Sequence, residues 1–98
     1  MYKVTSDYII SNKIENLSSF EKQKVYMAMQ DLEYNGININ AVRKLQGISS
    51  NKYTYRVTSS FRLIFEVIGM EIRIVDIVFQ DTIDYFRNSF EGVNKWKN

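Results

Sequence analysis

The sequence contains no cysteine and no histidine. Without cysteine there is no disulfide and no thiolate metal site, which fits a reducing compartment. The missing histidine excludes more. It removes the side chain that ordinarily titrates near neutral pH and the commonest metal ligand. Catalysis would have to rest on Arg, Lys, Tyr, Asp or Glu, and no metal or cofactor is called for. No stretch approaches the ~18 consecutive apolar residues of a membrane-spanning helix, and the N-terminus has no signal-peptide pattern. The expectation is a cytoplasmic protein with no membrane partner.

What is present reads as one domain. Ninety-eight residues, 45% hydrophobic and 14% aromatic, suit a single core and lie far from disordered composition. A net charge of +2 and a pI near 8.9 permit an anionic partner without demanding one.

Residues 1–4 (MYKV) are β-prone and read as a first strand, either at an edge or joined to the later sheet. Residues 6–36 read as a helical hairpin. Thr5 or Ser6 can cap the first helix, with Asp7 in its first turn, and Ile10, Ile14 and Leu17 share one face. Ser18 and Glu21 have capping-box spacing at the start of the second helix. Val25, Ala28, Met29 and Leu32 form its apolar stripe, and Gly36 ends it. In the connector that follows, Ile39, Val42 and Leu45 can anchor to the core.

Residues 53–79 read as a three-strand antiparallel meander. A three-residue loop, Thr58-Ser59-Ser60, sets Arg56 opposite Arg62 and keeps Phe61, Leu63 and Phe65 on one face. The loop holds no glycine, so a less comfortable backbone is expected at Ser60. Gly69-Met70 suits a type II′ turn that pairs Ile68 with Glu71 and Glu66 with Arg73. Continued alternation then predicts Ile72, Ile74, Asp76 and Val78 on the core face. It puts Arg73, Val75, Ile77 and Phe79 on the face of Arg62 and Ile64. Asp76 is anomalous in a core and is expected to make a structural hydrogen bond.

The other face sets two arginines against each other beside apolar groups, at a cost in like-charge repulsion. Either Glu66, Glu71 or a carboxylate of the tail (residues 80–98) neutralises them, or they hold phosphate while a protein partner covers the apolar part.

Lys44-Leu45-x-Gly47, Tyr53-x-x-Arg56-Val57 and Ser60-Phe61-Arg62-Leu63-Ile64-Phe65, followed by a glycine turn and an Ile/Val-rich strand, resemble the RelE/ParE toxin superfamily over nearly the whole chain. The resemblance implies an α+β fold, an N-terminal helical hairpin packed on a small antiparallel sheet. It also implies the toxin of a bacterial type II toxin–antitoxin pair, wrapped by a cognate antitoxin. In its RNase branch such a protein cleaves mRNA on the ribosome without metal. Arg56 and Arg62 then fall on positions that stabilise phosphate charge, and Tyr85 on one that assists proton transfer. Arg43, Lys44, Lys52 and Arg73 would contact RNA. The ParE-like branch instead poisons DNA gyrase, and a degenerate member would only bind its antitoxin. This chain departs from the RNase pattern at Phe79-Gln80-Asp81, where many RelE-like nucleases carry Arg, Lys or His.

Overall fold

The computed structural model describes residues 1–45 and 51–79. In chain order the elements are β1 (Lys3–Ser6), α1 (Tyr8–Glu15), α2 (Ser19–Asn35), β2 (Val42–Lys44), β3 (Lys52–Arg56), β4 (Phe61–Ile68) and β5 (Glu71–Phe79). The strands form one sheet in the order β1-β5-β4-β3-β2, and the two helices pack on one of its faces. The architecture is α+β. No helix among the described residues is long and apolar enough to cross a membrane.

The sheet is mixed, not wholly antiparallel as expected. β1 runs parallel to β5, and the remaining neighbours are antiparallel. The whole of the intervening chain, helices included, makes the long crossover that a parallel pair requires. β1 is thus both an edge strand and part of the main sheet. The connector after α2 also contributes more than anchors, because Val42–Lys44 pairs with Tyr53–Tyr55 as the opposite edge.

Local chemistry sets the helix ends. Asp7 is the N-cap of α1, its carboxylate accepting from the Ile10 N–H at 2.8 Å. Thr5 and Ser6 are therefore the end of β1 rather than caps. At α2 the Ser18 hydroxyl accepts from the Glu21 N–H at 3.1 Å, and the Glu21 carboxylate accepts from the Ser18 N–H at 3.3 Å. This is the reciprocal box the spacing called for. Ile10 and Ile14 of α1, with Val25, Ala28 and Leu32 of α2, bury against Phe61, Leu63, Phe65, Ile72, Ile74 and Ile77. The Tyr55 hydroxyl donates to the Asp31 carboxylate at 2.6 Å, tying β3 to α2. Burial, and then that carboxylate, raise the Tyr55 pKa, so the phenol keeps the proton it donates.

Both turns have the expected register. Arg56 faces Arg62, and Ile68 faces Glu71. Gly69 has φ +60° while Met70 does not enter positive φ, the pattern of a type II′ turn. Ser60 is not strained either: no described non-glycine residue has positive φ, and the Thr58 hydroxyl accepts the Ser60 N–H at 2.9 Å.

Alternation in β5 fails at one point. Ile64 pairs with Asp76 but Phe65 pairs with Ile74, leaving Val75 as the extra residue of a β-bulge. A bulge reverses the facing of everything beyond it. Ile77 and Phe79 therefore turn to the core side, where Ile77 is buried and the Phe79 ring lies 5.6 Å from that of Phe61. Asp76 and Val78 turn to the other face, contrary to the expected arrangement. The Asp76 carboxylate is half exposed, accepts the Ile77 N–H at 2.7 Å and meets Lys13 of α1 at 3.2 Å. Its role is structural.

An ion-pair ladder crosses the face turned away from the helices. Glu66 accepts from Lys52 and lies 3.3 Å from Arg73. Arg73 also reaches Glu71 at 3.4 Å, and Glu71 accepts from the Thr5 hydroxyl at 2.8 Å. The ladder links β3, β4, β5 and β1. The Lys52 hydrogen bond foremost holds Glu66 below the usual carboxylate range, and the Thr5 hydrogen bond foremost does so for Glu71, in both cases against burial.

Two predictions follow from these contacts. Gly36 has φ +68°, and a Cβ there would lie 2.6 Å from the Tyr2 ring. Gly36→Ala should lower unfolding free energy by about 2 kcal/mol, measured by urea denaturation; an unchanged midpoint contradicts the assignment. For the ladder, both carboxylates have folded pKa values below their ordinary 4.5. The stability they contribute is complete above that value and is lost as pH falls through the lower folded values. Below about pH 4.5 the thermal midpoint of the wild type should fall more steeply than that of the Glu66→Gln, Glu71→Gln variant.

Candidate functional site

The site is built on the last pair of the β3–β4 hairpin. On β4, Phe61, Leu63 and Phe65 are 1%, 0% and 0% exposed, so the residues between them must face away from the helices. Arg62 is one of these. On β3, the Tyr55 tie to Asp31 and the stacking of Tyr53 on Phe65, with ring centroids 5.6 Å apart, fix the helix-facing side and send Arg56 to the other. The Arg56 N–H donates across to Ala41 of the neighbouring chain segment at 2.9 Å. Arg56 and Arg62 are therefore a non-hydrogen-bonded pair, the kind with Cα atoms only ~4.5 Å apart and close side chains.

Arg56 is exposed and Arg62 half-buried. Neither carries an ion pair among the described residues, because Glu66 and Glu71 are engaged by Lys52 and Arg73. The face is thus divided. Its end near the Gly69 turn pairs its carboxylates with cations, and its end near the Thr58–Ser60 loop holds two opposed guanidinium groups with no ion-pair partner among the described residues. Such groups repel each other in the free protein and fork naturally onto the oxygens of a phosphate.

The other sequence-predicted residues are placed differently. Lys52 and Arg73 share the face of Arg56 and Arg62 but are held in the ladder. That pairing was partly readable, since the Gly69 turn already sets Glu66 opposite Arg73. Arg43 lies on the same face, in register with Thr54. Its guanidinium donates to the carbonyls of Asn40 and Val42 at 2.7 and 2.9 Å, closing the edge of β2. Lys44 is in register with Tyr53 and so belongs to the helix-facing side, away from the arginine pair. Tyr85, Gly47 and Gln80-Asp81 lie outside the described residues. The carboxylate nearest in register, Asp76, is occupied by Lys13 and the Ile77 N–H. Sequence reading missed Lys13 as its partner, because the two meet only through the packing of α1 on β5.

No family model matches this sequence, and no curated protein matches it. Solved structures do. The archaeal RelE–RelB complex from Pyrococcus horikoshii superposes with a TM-score of 0.69 at 20% identity, covering 81% of this chain and 94% of that one. The isolated Escherichia coli RelE toxin gives a TM-score of 0.69 at 16% identity over 95% and 99% of the two chains. A heterotetrameric YoeB–YefM toxin–antitoxin complex from Staphylococcus aureus gives 0.64 at 17% identity over 78% and 93%. This chain has the fold of the RelE and YoeB toxins.

Proposed function

We propose that this protein is the toxin of a type II toxin–antitoxin pair and that it cleaves messenger RNA. In this reading α1 and α2 are the helical hairpin of the RelE/ParE family. A cognate antitoxin holds the toxin inactive in the cytoplasm, and the freed toxin acts on mRNA in the ribosome. The observation that carries the reading is the Arg56–Arg62 pair, two opposed cations with no ion-pair partner among the described residues. Complexes with antitoxins among the similar structures support the partner.

Metal-free RNA cleavage uses the substrate's own 2′-hydroxyl as nucleophile. As the 2′-oxygen bonds to phosphorus and the bond to the 5′-oxygen breaks, negative charge grows on the non-bridging oxygens. Arg56 and Arg62 would bind those oxygens and neutralise that charge. The proton leaves the 2′-hydroxyl and one arrives at the departing 5′-oxygen. Tyr85 is the candidate for assisting that transfer. Arg43, Lys44, Lys52 and Arg73 would contribute at longer range, as positive potential drawing RNA toward the face.

A second reading, a ParE-like gyrase inhibitor or a toxin that binds only its antitoxin, is favoured by the absence of histidine and of a basic residue at Gln80-Asp81. Induction in growing cells separates the two. RNA cleavage predicts growth arrest with new codon-phased mRNA 5′ ends, and Arg62→Ala should reduce cleavage about 100-fold or more. Arrest with DNA-damage induction and no new ends would establish the gyrase reading. Equal arrest by wild type and Arg62→Ala would remove Arg62 from the site.

A further inference from the structure

On the other side of the β3–β4 loop from the arginine pair, a cavity of about 710 Å³ opens between that loop and the start of α2. Its volume is within the ordinary range for ligand sites. Its walls include Phe20, Glu21 and Lys24 of α2 and the hydroxyl residues Thr58, Ser59 and Ser60. Phe20 is 64% exposed, so the core makes little use of it. Lys24, one helical turn on, holds its ammonium 5.4 Å from the centre of the Phe20 ring, which leaves the ring's other side to be covered. Glu21, the one acidic group of the wall, is committed to the cap of α2 through the Ser18 N–H and hydroxyl. The described wall therefore carries one carboxylate, held at the helix cap, and one ammonium, that of Lys24 beside the Phe20 ring.

Its position supplies the connection. The loop leaves β3 directly after Arg56 and enters β4 at Phe61, one residue before Arg62. A single strand that turns around this loop from the arginine face reaches the cavity on the helix side. An exposed aromatic ring beside a lysine, bordered by hydroxyl groups, suits a nucleotide: the base stacks on the ring and its phosphate meets the ammonium.

We propose that the Phe20–Lys24 cavity is a base-stacking subsite for a nucleotide flanking the phosphate held by Arg56 and Arg62. The subsite rests on the RNA reading above, and the test separates the two. Binding of the purified protein is measured by fluorescence anisotropy with two labelled probes, both 2′-O-methylated to prevent cleavage. One is a short oligoadenylate, and the other is the same backbone without bases. Phe20→Ala should weaken oligoadenylate binding roughly tenfold and leave the abasic probe unaffected, while Phe20→Trp retains binding. Arg62→Ala should weaken both probes. If Arg62→Ala weakens binding but Phe20→Ala does not, or if Phe20→Ala weakens both probes equally, the subsite is wrong and the arginine site stands. If the wild type binds neither probe, both fall. Circular dichroism of each variant identifies losses that come from misfolding, and a Phe20→Ala protein that no longer folds would refute the surface role assigned to this ring.

Discussion

The central strand β4 constrains everything around it. Phe61, Leu63 and Phe65 need the space beneath the helices, and their near-complete burial leaves no alternative register. A slip of one residue would put Arg62, Ile64 and Glu66 into that core at the cost of desolvating two charges. The same alternation that builds the interior therefore aims Arg62 outward. The position of the candidate site is a by-product of how the core is filled.

Outside the core, charge is sorted along the strands. Glu66 and Glu71 sit near the Gly69 turn, where Lys52, Arg73 and Thr5 engage them. No carboxylate balances the opposite end of the hairpin among the described residues. Two cations left facing each other reduce the stability of the free protein, and sites that bind charge commonly carry such a cost because the ligand removes it. The bulge at Val75 sharpens this division. By turning Ile77 and Phe79 toward the core, it leaves Ile64 and Val78 beside the arginines instead of a broad apolar patch.

The loop between β3 and β4 joins the two surfaces that matter for recognition. Arg56 and Arg62 lie on one side of it, and Phe20 and Lys24 on the other. A four-residue connection without glycine is kept in shape by the Thr58 hydroxyl and by backbone bonds to Phe61. A rigid scaffold carrying a short polar loop is the usual setting for binding residues.

Much of this was legible in the chain itself. Apolar periodicity located both helices, the Ser18–Glu21 spacing gave the cap, and burial of β4 together with the Gly69 turn gave the register that opposes Arg56 and Arg62. These signals are local, or reach only across one hairpin, so the sequence by itself determined them. Tertiary structure decided the rest. The parallel pairing of β1 with β5 depends on two segments about seventy residues apart in the chain. The bulge leaves no mark in the alternating pattern of β5, because Val75 and Ile77 are both β-branched and suit either face. Lys13 finds Asp76 only when α1 docks, and Arg43 is occupied only because β2 becomes an edge whose carbonyls need donors. Which cations lack an ion-pair partner among the described residues is settled by long-range pairing, and no short-range periodicity records it.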